Sequence, residues 1–157
     1  MVKHRFWDSR KSILLSIIVT WTALVLAVAM IPALIPLLRS IRFPGANGTD
    51  RFVLLTAYPL FICLGCGIAT LIILLGLLSD IRKGEIFTLN NVRRLRLISY
   101  FGFAIMVACI IGAFIAIPFP LFIFLAMVAG FLALLMRVVK NVIDSARLLK
   151  EDADFTI

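Results

Sequence analysis

Residues 97–136 read LISYFGFAIMVACIIGAFIAIPFPLFIFLAMVAGFLALLM, forty consecutive positions without an Asp, Glu, Lys, Arg or His. A helix rising about 1.5 Å per residue needs roughly 20 residues to cross the hydrocarbon core of a bilayer, so this stretch is long enough for two crossings. Its one interruption is Ile117-Pro118-Phe119-Pro120, where proline disfavours a continuous helix. The stretch therefore reads as a tight hairpin of two transmembrane helices, 97–117 and 118–136, with an uncharged link held at the membrane interface. No barrel-like alternation occurs in it, and lipid offers no partner to an open backbone, so both crossings must be helical.

Working outward, the same scan finds two more charge-free stretches, Ser12–Leu38 and Phe52–Ser79. The chain of 157 residues is 63% hydrophobic and 15% charged, against about 45–50% and about 25% in soluble domains. A water-soluble globule of this size could not hide so much apolar surface. The predicted fold is an all-α integral membrane protein, a four-helix bundle with spans at about 12–38, 52–79, 97–117 and 118–136. Met1–Lys11 is basic and Ala27-Val28-Ala29 imitates a signal-peptidase site, but the uncharged run continues to Leu38. That is too long for a signal peptide and reads as a retained anchor. Pro32 and Pro36 are expected to kink or loosen its outer end.

The charges set the orientation. Residues 1–11 hold four Lys or Arg, 39–51 three, 80–96 five and 137–157 four, while the link near Pro118 holds none. The positive-inside bias then places both termini and the loop 80–96 in the cytoplasm, and 39–51 outside. The net charge of +8 is spread over the ends of apolar stretches instead of one polar surface, which argues against direct nucleic-acid binding.

Two cytoplasmic elements have their own local logic. Arg82 and Lys83 close the second helix and Gly84 suits a left-handed terminus. Thr88 is placed to cap the next helix, with Phe87 and Val92 as a hydrophobic staple. In the tail 137–157, Val138, Val139, Val142, Ile143, Ala146 and Leu149 recur at helical spacing opposite Lys140, Asn141, Asp144 and Lys150. This predicts an amphipathic extension of the fourth helix, followed by the acidic Glu151–Asp154.

The residues that could carry chemistry are few. Cys63 and Cys66 have CxxC spacing, but there is no second pair and the one His is His4, so neither a metal nor a cofactor is expected. Asn47-Gly48-Thr49 reads as a turn more readily than as a glycosylation site. The spans lack interior charges, which disfavours proton or ion relays. Ser16, Thr20, Thr22 and Thr56 are candidates for hydrogen bonds between helices. Ala104, Ala108, Gly112 and Ala116 form a small-residue stripe at i+4 spacing, facing Ala126 and Gly130, with Ala129 and Ala133 beside them. Close packing of the hairpin is the favoured use and a homo-oligomer the other. No nucleophile, metal set or acid–base pair converges, so no catalytic residue is assigned and the chain is not expected to be an enzyme.

The stretch Ile81–Arg96, IRKGEIFTLNNVRRLR, and the closing LKEDADFTI of 149–157 resemble a family of small bacterial four-helix membrane proteins of unknown function. Residues 75–157 carry the likeness, in a G-x-x-F-T-x-x-N-V-x-R-L loop, a hairpin, an amphipathic segment and an acidic tail. The resemblance implies a bacterial inner-membrane protein, often encoded beside a Cro-like helix-turn-helix regulator, with no assigned activity or ligand. Gly84, Phe87, Thr88, Asn91, Arg93, Arg94 and Leu95 match the family motif.

The leading expectation is a non-enzymatic regulatory protein. Arg82, Lys83, Gly84, Phe87, Thr88, Asn91, Arg93, Arg94, Leu95 and Arg96 would bind a soluble cytoplasmic partner such as a transcription regulator, together with the amphipathic tail. The alternative is a transport accessory with an apolar cavity for a small molecule or lipid, lined by Thr20, Trp21, Tyr58 or Tyr100. Contact with anionic lipid headgroups is the plainer role for the basic loop.

Overall fold

A computed structural model describes residues 3–40, 50–84, 88–115 and 119–155. They form four helices, α1 (Lys3–Ser40), α2 (Asp50–Arg82), α3 (Leu89–Ile115) and α4 (Phe119–Phe155), with no strand among the described residues. Each is long and apolar enough to cross a membrane, with a mean hydropathy of 2.3 or more over its best stretch. Leu15, Val25, Tyr58, Phe114, Met127 and Phe131 all point outward. Large apolar side chains exposed in such number require a lipid solvent, which makes this a multi-pass membrane protein.

The helices are longer than the charge-free stretches. α1 runs through Pro32 and Pro36 to Ser40, whose hydroxyl donates to Leu37 O at 2.8 Å. α4 continues without a break through the tail, including the acidic Glu151 and Asp152. There Arg147 ties Glu151 one turn ahead and Asp144 one turn behind, at 3.3 and 3.8 Å. Such i,i+3 and i,i+4 pairs support an exposed helix. The amphipathic face divides: Val139, Ile143 and Ala146 are half-buried, whereas Val138, Val142 and Leu149 are exposed.

The helices do not close into a four-helix bundle. Among the described residues the α1 backbone approaches α2 alone, α3 lies between α2 and α4, and the backbones of α2 and α4 stay apart. α3 is accordingly the most buried element. The core lies around it, with Cys109, Ala113, Phe122 and Ala126 at the centre and Leu60, Cys63, Ile105 and Met106 packed against them.

The small-residue stripe is also redistributed. Ala108 and Gly112 of α3, and Ala126, Gly130 and Ala133 of α4, are buried, but Ala104 is exposed and Ala116 lies outside the described residues. A strict i+4 series drifts by about 40° per step around a helix, so it cannot keep facing one neighbour. The helix face that does is Ser99, Gly102, Met106, Cys109 and Ala113, spaced alternately by three and four as in a heptad and meeting Phe122, Ala126, Gly130 and Ala133 of α4. Along it the Ser99 hydroxyl donates to Ala133 O at 2.9 Å, both groups buried. Thr20 and Thr22, expected to bond between helices, instead donate to Ser16 O and Ile18 O of their own helix, at 2.7 and 2.9 Å.

Candidate functional site

The connection between α2 and α3 is built by capping chemistry. Gly84 has φ of +85°, a left-handed conformation that favours glycine, and its N–H donates to Ile81 O at 3.0 Å. Residues 85–87 lie outside the description, and with them the Phe87 half of the expected staple. On the far side Thr88 caps α3: its hydroxyl oxygen and carbonyl accept the Asn91 N–H at 3.4 and 3.1 Å, and the carbonyl also accepts from Val92 at 3.3 Å. Thr88→Ala is expected to cost about 1 kcal/mol. Gly84→Ala should cost a similar 1–2 kcal/mol by roughly the left-handed penalty. Denaturation of the purified protein in mixed micelles, followed by helical circular dichroism, checks both.

Beyond the cap, the motif residues divide between packing and exposure. Asn91, Val92 and Leu95 are buried, Asn91 to 1% exposure. Arg94 reaches across to α2 and forms a hydrogen-bonded ion pair with Asp80. Its guanidinium lies flat against Gly76, where a Cβ would stand 3.1 Å from Cζ and Nη1. Gly76 and Asp80, one helical turn apart, thus form the seat for Arg94. Neither stood out in the sequence, although Asp80 is the acidic residue that ends the second uncharged stretch. Arg82, Lys83, Arg93 and Arg96, by contrast, are exposed. Of the residues expected to bind a partner, then, Arg94 ties α3 to α2 and Asn91 and Leu95 are buried, while four cations remain outside.

Arg96 is drawn into a different constellation. With Ser99, Tyr100 and Phe103 of α3 and Arg137 and Lys140 of α4 it lines a recess of about 240 Å³. Lys140 Nζ donates to Asn141 Oδ1 at 3.1 Å.

The cysteines pair across helices instead of within the CxxC. Cys63 Sγ lies 3.5 Å from Cys109 Sγ on α3, while Cys66 is half-buried on α2. Among the described residues no three His, Cys, Asp or Glu side chains gather closely enough to hold a metal ion. Cys63 and Cys109 also line an apolar groove of about 420 Å³, bounded by Gly67 and Thr70 of α2, Gly102 of α3 and Leu132 of α4. This is not where aromatic and hydroxyl side chains suggested a cavity: Trp21, Tyr58 and Tyr100 are exposed, and the buried Thr20 is on α1. The Asn47 turn lies outside the described residues.

No curated protein and no solved structure matches the chain. One family model does, over residues 7–157, which includes all of α2, α3 and α4. The match extends well before residue 75, where the visible motifs begin. The chain therefore belongs to the family described as Protein of unknown function (DUF2975).

Proposed function

We propose that this is a non-enzymatic regulatory protein of the bacterial inner membrane, with both termini and the α2–α3 connection in the cytoplasm. In this reading the exposed cations Arg82, Lys83 and Arg93 bind an acidic surface on a soluble partner, of the class of helix-turn-helix transcription regulators. The observation that supports it is the division within one short motif. Arg94 is neutralised by Asp80 and packed on Gly76, fixing the connection, while neighbouring cations are left at the surface. Long-range attraction from such a cluster speeds and orients association with an acidic partner. The amphipathic end of α4, with Val138, Val142 and Leu149 exposed, supplies an apolar surface to the same compartment.

The test is co-purification of the detergent-solubilised protein with a helix-turn-helix regulator encoded beside it. Wild type should retain the regulator, and Arg82→Ala/Lys83→Ala/Arg93→Ala should retain about tenfold less, each rim charge contributing on the order of 0.5–1 kcal/mol. Failure of the wild type to retain it overturns the proposal. Reporter fusions at residue 90 should read cytoplasmic.

A second reading has its own support in the apolar groove between α2, α3 and α4. There the protein would hold a lipid-soluble molecule or acyl chain against Gly67 and Gly102. Photoreactive lipid that fails to label Val128, a residue of α4 lining the groove, in wild type, or labels it equally in Gly67→Leu, would dismiss it.

A further inference from the structure

We infer that the recess between α3 and α4 is a binding site for the phosphate headgroup of an anionic phospholipid, held by Arg96, Arg137 and Lys140. The inference rests on the chain crossing a bilayer and not on the partner reading above.

Arg96 is the last charge before the apolar run of α3, and Arg137 the first after that of α4. The hairpin geometry brings these two boundaries to the same level, so both guanidinium groups enter the recess at the depth where hydrocarbon gives way to headgroups. Lys140, one turn further along α4, adds a third positive charge, and no carboxylate lines the recess. The nearest acids along α4, Asp144 and Glu151, are engaged by Arg147. Among the described residues neither the Arg96 nor the Arg137 side chain has a hydrogen-bond or ion-pair partner. Three cations converging from two helices repel one another unless an anion joins them, and guanidinium groups suit phosphate oxygens because they donate in a planar fork.

The remaining lining fits a lipid better than a free ion. Tyr100 is an amphipathic side chain of the interfacial type, and Phe103 closes the recess on its hydrocarbon side. Below Phe103, Val107, Ile110 and Phe114 continue the same face of α3 and are all exposed, Phe114 to 83%. This gives an acyl chain an apolar track directly beneath the cations. The groove lined by Cys63 and Gly102 lies on another side of α3, so the two features are separate. With three cations at the site, a lipid carrying two phosphodiesters, such as cardiolipin, should bind more tightly than singly charged phosphatidylglycerol.

Native mass spectrometry of the protein in mild detergent, titrated with cardiolipin, phosphatidylglycerol and phosphatidylcholine, tests the site. Wild type should retain the lipids in that order. Arg96→Gln/Arg137→Gln/Lys140→Gln should bind cardiolipin at least about tenfold more weakly. Arg82→Gln/Lys83→Gln/Arg93→Gln, which loses as many charges elsewhere, should stay within about threefold of wild type. Equal loss in the two triple variants overturns the inference, as does phosphatidylcholine retained as strongly as cardiolipin. Displacement of the lipid by millimolar inorganic phosphate would assign the recess to the free ion and also overturn it. Should the first triple variant fail to fold, Arg96→Lys/Arg137→Lys and Lys140→Gln decide. The former should keep cardiolipin within about threefold and the latter should lose it about threefold to fivefold, and an unchanged Lys140→Gln overturns the site.

Discussion

Gly102→Ala is expected to destabilise the α3–α4 pair by about 1–3 kcal/mol, the range for overpacking a tight contact. A Cβ on Gly102 would stand 2.8 Å from Ala133 Cβ and 3.3 Å from Ala133 Cα, so relief requires the two backbones to separate. Separation would in turn stretch the Ser99–Ala133 hydrogen bond, three residues back along the same seam. Gly130→Ala makes the informative contrast. Its Cβ would come even closer, 2.7 Å, but to Met106 Sδ, the flexible end of a side chain that can turn aside. Any loss there should be offset by alanine's higher helix propensity, worth up to about 1 kcal/mol, leaving Gly130→Ala within about 1 kcal/mol of wild type. SDS-induced unfolding in mixed micelles measures both. Equal losses in the two variants would mean that α3 and α4 are not packed in this register.

Asp80→Ala should cost about 2–3 kcal/mol, somewhat less than removing one member of a fully buried pair, because both side chains keep partial access to solvent. Arg94 would then lie on Gly76 without its counter-charge, close to hydrocarbon. Arg94→Ala should cost a similar amount, and Asp80→Ala/Arg94→Ala less than the sum, with a coupling of about 1–2 kcal/mol. Additive losses would show that the pair contributes nothing of its own. Because Arg94 sits within the motif of the proposed partner surface, Asp80→Ala separates two explanations of any Arg94 phenotype: loss of a contact with a partner leaves it silent, and loss of the connection's shape reproduces it.

Fold class was legible because it depends on counts that a bilayer enforces. A forty-residue run without charge has few homes other than a membrane, and the prolines at 118 and 120 mark where it turns. The caps were legible for a related reason: Gly84 and Thr88 act through their own backbone neighbours, so sequence spacing is enough.

What depended on rotation about a helix axis was harder to read. Picking small residues every four positions selected Ala104, which faces outward, and passed over Ser99 and Gly102, which lie on the seam. In a uniformly apolar helix no polar face fixes the rotation, so a period of four and a period of three and a half look alike over three turns. The Arg94–Asp80 pair and the meeting of Arg96 with Arg137 and Lys140 were hidden for another reason. Each joins different helices, and a charge count shows only that cations gather at one end.

The lateral place of α1 has a mechanical consequence. Among the described residues its backbone neighbour is α2 alone, and none of the central cluster around Cys109 and Phe122 comes from it. Deleting the first crossing should therefore leave the packing among α2, α3 and α4 in place, a core assembled without the helix that enters first.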